Sequence, residues 1–99
     1  MKQIHVHLVS DSTGETVSSA ARAAISQFEN IQAQEHIWSL IRSESQMRKV
    51  FDALDESPGP VLYTLVNPTL RDVLKRECMK RELPCIPVLV PILRELSNY

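Results

Sequence analysis

The chain is poor in glycine, cysteine and aromatic residues, and each shortage excludes a class of function. Only two of its 99 residues are glycine, Gly14 and Gly59, so it holds neither a G-x-G-x-x-G nor a G-x-x-x-x-G-K-[ST] nucleotide-binding pattern. The two cysteines, Cys78 and Cys85, form neither a C-x-x-C pair nor a disulfide framework. The few aromatic residues, 5% of the chain, argue against base-stacking platforms, so Val, Ile, Leu and Ala must build the core.

The charge balance and the lack of long hydrophobic runs exclude two further classes. Eleven basic and 12 acidic residues leave a net charge of -1, so no field favours nucleic acid or an anionic membrane. No apolar run approaches the roughly 20 residues that cross a bilayer, and the first residues lack the apolar stretch of a signal peptide. Hydrophobic residues are 43% of the chain, which favours a folded globule. We therefore expect one domain over residues 1–99 in a reducing cytoplasm.

Hydrophobic periodicity predicts four strands that alternate with four helices. The strands are expected at residues 4–9, 31–41, 61–66 and 83–90, with 37–40 as the core of the second. The first helix is expected over residues 15–28. The order βαβαβαβα selects an α/β fold, a Rossmann-like parallel sheet of about four strands with helices on both faces. Because such sheets normally continue, we expect the chain to be the first half of a larger protein.

Three pairs of polar residues predict where helices begin. Ser12 with Glu15 and Ser43 with Gln46 have the spacing of a capping box, in which two side chains satisfy unpaired amides at a helix start. Thr69 with Asp72 can cap the third helix. Pro91 suits the first turn of the fourth.

The most informative segment is the polar turn, residues 10–16, which joins the first strand to the first helix. Ligands of open α/β sheets usually bind at the carboxyl ends of strands, and a helix N-terminus favours an anion. The phosphate-binding candidates are therefore Ser10, Asp11, Ser12, Thr13, Gly14 and Thr16. Asp11 is also a weak candidate for a catalytic carboxylate, against a capping or surface role. The alternative for the whole turn is helix capping alone.

Histidine and cysteine residues are not predicted to form a metal or redox site. His5 and His7 share one face of the first strand, but no further ligand accompanies them at useful spacing, so backbone-bonded or surface histidines are the better interpretation. His36 has no partner in the sequence. Cys78 lies on the apolar stripe of the third helix and Cys85 enters a strand, which is typical of buried, unreactive thiols.

The sequence resembles the regulatory kinase/pyrophosphorylase family that controls pyruvate, phosphate dikinase and phosphoenolpyruvate synthetase. The resemblance covers essentially all 99 residues, and its most specific motif, HLVSDSTGET, spans residues 7–16. Further similarity lies in AARAA at 20–24 with Gln27 and Phe28, in residues 66–71, and in residues 87–93. Within that family, the SDSTGET motif at residues 10–16 is more similar to the members that regulate pyruvate, phosphate dikinase than to those that regulate the synthetase.

Members of that family are bifunctional enzymes. The resemblance implies phosphorylation of a threonine on the target enzyme with ADP as donor, and its reversal by inorganic phosphate with release of pyrophosphate. It places the phosphate-binding loop in a C-terminal half, and this chain lacks that loop. We therefore expect the N-terminal domain of such an enzyme, inactive alone and without a cofactor of its own.

The resemblance also implies the partners. These are the dikinase or the synthetase as protein substrate, and the missing C-terminal domain. Association with a second copy of the chain is expected on separate grounds, because an uncovered sheet edge or apolar face promotes oligomers. The alternative interpretation is a non-catalytic α/β module that binds an anionic ligand or a protein at the polar turn. A nicotinamide-binding domain is a distant third, because the first strand is not followed by G-x-G-x-x-G.

Overall fold

The computed structural model describes residues 2–99. Four strands alternate with four helices, as the hydrophobic pattern predicts. In chain order they are β1 (Lys2–Ser10), α1 (Glu15–Ile25), β2 (Ile31–Trp38), α2 (Glu44–Glu56), β3 (Val61–Thr64), α3 (Pro68–Lys80), β4 (Cys85–Pro87) and α4 (Val90–Ser97).

The strands form one parallel sheet in the order β2-β1-β3-β4. Strand β1 is central: it pairs with β2 along its length, from Lys2 opposite Ile31 to Val9 opposite Trp38, and with β3 from His7 opposite Val61 onward. Parallel pairing requires crossovers, and each crossover here is a helix. The predicted α/β class, strand number and strand direction are confirmed.

Two hydrophobic cores lie on opposite faces of this sheet. On one face, helices α2 and α3 pack on Val9 and β3, and the buried residues include Met47, Leu54, Leu74 and Tyr63. On the other face, α1 packs through Val17 and Ala21 on Val6 and Leu8. Alternation along β1 sends Val6 and Leu8 to one face and His7 and Val9 to the other. Helices therefore cover both faces, as predicted, but unequally.

Strand ends differ from the prediction where the chain finds other hydrogen-bond partners. Strand β2 ends at Trp38 because Leu40 adopts a left-handed conformation, with φ 57°, and leaves the ladder. The predicted core of β2, residues 37–40, is only half right: Ile37 and Trp38 end the strand, whereas residues 39 and 40 follow it, and Ile37 and Leu40 are each about half exposed. Strand β4 is only three residues long, and the chain turns into α4 soon after Pro87, which has no N–H for the ladder.

Helix caps also correct the sequence prediction. Ser43 caps α2 as expected, accepting from the Gln46 amide at 3.3 Å. The reciprocal contact differs, because Gln46 Oε1 accepts from the Arg42 amide. Helix α3 is capped by Asn67, not by Thr69. The predicted pair Ser12–Glu15 does not cap α1, whose N-cap is Gly14.

Helix α1 ends three residues earlier than predicted. The amides of Gln27 and Phe28 donate to Ala24 and Ile25, three residues back, and so form a tighter turn. Within residues 2–99, no helix has the length and apolar character needed to span a membrane.

Candidate functional site

The polar turn lines an open cavity at the carboxyl edge of the sheet. The cavity has a volume of about 130 Å³ and is bounded by every residue from Ser10 to Thr16, together with Thr64, Val66 and Leu89. Thr64 is the last residue of β3, and Val66 and Leu89 closely follow the ends of β3 and β4, which reach the same edge because the strands are parallel. All six predicted phosphate-binding residues therefore lie around one cavity.

Asp11 joins the polar turn to the end of β3. Its Oδ2 atom accepts a hydrogen bond from the backbone N–H of Val66 at 2.9 Å. This bond uses the amide that would have continued β3 beyond Thr64, which explains why the strand is shorter than predicted. The observed role of the Asp11 side chain is positional, and a catalytic role stays a prediction.

Helix α1 begins without a side-chain cap. Gly14 occupies the N-cap with φ 89°, a conformation that glycine adopts without strain. The first α1 hydrogen bond runs from Ser18 to the Gly14 carbonyl, so the amides of Glu15, Thr16 and Val17 precede any helical acceptor. The Ser10 hydroxyl accepts from the Ser12 amide at 3.0 Å and thus orders the turn. Capping alone therefore does not explain the polar turn.

The segment after β2 holds the polar turn from its other side. The amides of Leu40 and Ile41 donate to the carbonyls of Ser12 and Ser10 at 2.8 and 2.9 Å. Leu40 makes its bond in a left-handed conformation that costs a non-glycine residue about 1 kcal/mol or more. Two such bonds restrict the turn before any ligand arrives.

Arg42 is the functional candidate that the sequence prediction missed. Its Nε donates to the Asp11 carbonyl at 3.1 Å, although the two residues are 31 positions apart. Through this bond the Arg42 guanidinium lies beside a residue that lines the cavity, where it favours an anion, whereas Glu15, which lines the cavity itself, opposes one. The only signal that could have revealed Arg42 is the pairing of β2 beside β1, which places both strand ends at one edge.

The three histidines form a separate cluster on the sheet. The rings of His7 and His36 stack with centroids 4.6 Å apart, and His5 Nδ1 lies 2.9 Å from His36 Nε2. His7 bonds to the Ser57 carbonyl, which confirms the expectation of a backbone-bonded histidine. Among residues 2–99, no group of three or more His, Cys, Asp or Glu residues could hold a metal ion.

Comparison with known proteins assigns the family. The kinase/pyrophosphorylase family matches residues 6–99 of this chain. The chain belongs to that family. The matched residues include the polar turn, Arg42 and the other residues that line the cavity, Thr64, Val66 and Leu89.

Three curated relatives of this chain share one description, pyruvate, phosphate dikinase regulatory protein. The relative from Paramagnetospirillum magneticum is 44% identical over 99 residues, which is 100% of this chain and 32% of that protein. The relative from Chelativorans is 47% identical over 95 residues, 96% of this chain and 35% of that protein. The relative from Sinorhizobium fredii is 46% identical, with the same coverage. The chain thus spans about a third of the relatives' length and matches their N-terminal part.

Proposed function

We propose that this chain is the N-terminal domain of a regulatory serine/threonine kinase and phosphate-dependent pyrophosphorylase. Its target is pyruvate, phosphate dikinase, inactivated by ADP-dependent phosphorylation of a threonine and reactivated by inorganic phosphate. Membership of the kinase/pyrophosphorylase family and the description of the relatives support this proposal. That description favours the dikinase over phosphoenolpyruvate synthetase as the protein substrate.

The polar turn would contribute the phosphate-binding part of this function. The observation that carries it is the uncapped start of α1, whose free amides and neighbouring hydroxyls line an open cavity beside Arg42. Amide donors at a helix N-terminus bind phosphate without needing a nearby lysine. The ligands proposed for this site are inorganic phosphate, pyrophosphate and the phosphates of ADP.

A titration followed by amide NMR tests this site on the 99-residue chain. Phosphate, pyrophosphate and ADP are added separately, and shifts are expected to concentrate at residues 10–17. Arg42→Gln should weaken binding several-fold and Glu15→Gln should strengthen it, because the first removes a positive charge beside the cavity and the second removes a negative charge from its lining. Arg48→Gln, an exposed α2 residue, is the matched control and should change nothing. Shifts spread evenly over the chain, or none, would contradict the proposed site.

Catalysis is expected to need more than this chain. The sequence contains no G-x-x-x-x-G-K-[ST] loop to hold the transferred phosphate. The purified 99-residue chain should therefore neither phosphorylate the dikinase in the presence of ADP nor remove its phosphate in the presence of inorganic phosphate. Detection of either activity, measured by mass spectrometry of the dikinase, would overturn this part of the proposal.

A non-catalytic role in holding a protein partner is the second candidate. Exposed apolar side chains surround the polar turn, with Leu40 49% and Val66 68% exposed. Such side chains beside a polar cavity are typical of a protein-binding surface. If binding of the dikinase is the function of this edge, Leu40→Asn should weaken dikinase binding, measured by calorimetry, and leave the phosphate shifts unchanged, because Leu40 does not line the cavity and asparagine adds no charge. Ile92→Asn, on exposed α4, is the control.

A further inference from the structure

An apolar groove on the α1 face of the sheet is a feature that the proposed function leaves unexplained. The groove has a volume of about 250 Å³, and all ten residues that line it are apolar. Val6, Leu62 and Ile86 form its floor, while Ala24 and Phe28 of the α1 region form one wall. Phe28 is 56% exposed and Ile86 44% exposed. We call this feature the α1 groove.

The α1 groove exists because the two faces of the sheet are covered unequally. Helices α2 and α3 cover one face, whereas in residues 2–99 only α1 packs on the other. Parallel sheets occur almost only with both faces covered, because their strands are apolar on both sides. Leu62 and Ile86 lie directly opposite each other on β3 and β4, and both point away from the α2 side. The strands on this side of α1 therefore lack a covering element.

The shape and chemistry of the α1 groove suit a helix. Neighbouring helices on a sheet or in a bundle pack with axes about 8–10 Å apart, and Ala21 and Ala24 on the groove side of α1 permit a close approach. The lining offers no polar side chain, so the groove cannot orient a nucleotide or another polar ligand. Helix α4 does not fill it, since none of its residues lines the groove and none is buried.

We propose that the α1 groove is the docking site for an apolar helix from the polypeptide that follows the matched region in the relatives. The proposal rests on the proposed role of this chain as the N-terminal domain of such a protein. The relatives are about three times as long as the matched segment, which is their N-terminal part. The remaining two thirds of one polypeptide are present at high effective concentration, which favours them over a separate protein or a second copy.

Photo-crosslinking in the full-length Paramagnetospirillum magneticum relative tests this docking. Benzoylphenylalanine is placed at the position aligned with Phe28 and, in a second protein, at that aligned with Ile86. Both are expected to give intramolecular crosslinks to residues beyond the 99 aligned here, identified by mass spectrometry. The position aligned with Asp52, exposed on α2, is the control and should give none. Crosslinks confined to the aligned third, links between two copies, or no links at Phe28 and Ile86 would overturn the proposal.

A matched pair of charge substitutions gives a second, independent measurement. Ala23 and Ala24 are adjacent, exposed α1 residues, but only Ala24 lines the groove. In the 99-residue chain, both positions are exposed, so A23E and A24E should lower the melting temperature by the same small amount. In the full-length relative, glutamate aligned with Ala24 should lower it several degrees more than glutamate aligned with Ala23. Equal effects there would contradict docking. The amide NMR shifts that phosphate causes at the polar turn report on the carboxyl edge of the sheet and not on the α1 groove. Phosphate binding at the turn and helix docking in the groove can therefore fail separately.

Discussion

His7 is a fully buried histidine whose two ring nitrogens both have partners. The Trp38 Nε1–H, which can only donate, bonds to His7 Nδ1 at 3.2 Å. Nδ1 is therefore unprotonated, and Nε2–H donates to the Ser57 carbonyl at 2.7 Å. These two contacts select the neutral form of the ring. Burial lowers the pKa of His7 below its usual 6.5; the Ser57 bond opposes this shift, and the neighbouring His36 and His5 add to it.

This protonation state predicts how stability depends on pH. Because the folded-state pKa lies below the unfolded value, the unfolded chain binds more protons in the interval between them, and stability rises with pH there. The contribution of His7 should be complete above about pH 6.5 and be lost as the pH falls through its lowered pKa. Urea unfolding between about pH 5 and 8 should show a smaller decline for His7→Gln than for the parent chain. His36→Gln is the control and should keep most of the decline; a parent-like decline in His7→Gln would refute this explanation.

Gly59 marks a close approach of two backbone segments. A Cβ atom at this position would overlap the carbonyl oxygen of His5 and lie 2.7 Å from its carbonyl carbon. Strand β1 cannot move away from Gly59, because the amide of His7, two residues after His5, donates a hydrogen bond to the carbonyl of Pro60, next to Gly59. Gly59→Ala should therefore cost at least about 3 kcal/mol of unfolding free energy. Gly14→Ala, strained by φ but 3.2 Å from a movable Ile37 methyl, should cost only about 1 kcal/mol. Urea denaturation of both variants compares them directly.

At the scale of elements, two helices that were both predicted to have a side-chain cap differ: α3 has one, and α1 does not. The Asn67 side chain accepts from the amides of Thr69 and Leu70 at 2.8 and 3.3 Å, so Asn67→Ala should destabilise the chain by about 1 kcal/mol. Ser12→Ala should cost nearly nothing, because the Ser12 side chain caps no helix. Chemical denaturation measures both. A loss for Ser12→Ala as large as that for Asn67→Ala would show that a side-chain cap on α1 had been missed.

Local patterns predicted the existence and type of every element but not the ends that tertiary contacts decide. Apolar periodicity and turn residues locate β1, α2 and α3, because those signals are local. The end of β3 depends on the Asp11 carboxylate, which accepts a hydrogen bond from the Val66 amide, 55 positions along the chain. Likewise, residues 37–40 were predicted to be the core of β2, yet the strand ends at Trp38, and in this edge strand the side chain of Ile37 is about half exposed. Exposure depends on the order of strands, which periodicity does not encode.

At the scale of the whole molecule, the candidate site is partly local and partly a product of the fold. Its polar turn is one continuous segment, so all six phosphate-binding candidates could be found from the sequence. Arg42, Thr64 and Leu89 reach the same edge only because β2, β3 and β4 run parallel to β1. Family resemblance supplied the proposed chemistry, since no spacing in the chain itself distinguishes a phosphate-binding turn from a cap.

The unequal faces of the sheet predict unequal effects of one substitution. Val6 and Val9 are both buried on β1, but Val9 faces the core under α2 and α3, whereas Val6 lines the α1 groove. Each Val→Ala change removes two methyl groups, worth about 1.6 kcal/mol in transfer free energy. Val9→Ala also leaves an enclosed cavity and should cost roughly 2–3 kcal/mol, while Val6→Ala only widens an open groove and should cost roughly 1–2 kcal/mol. Urea unfolding of the two variants tests this order. Equal losses in the 99-residue chain would mean that the α1 groove is closed in solution.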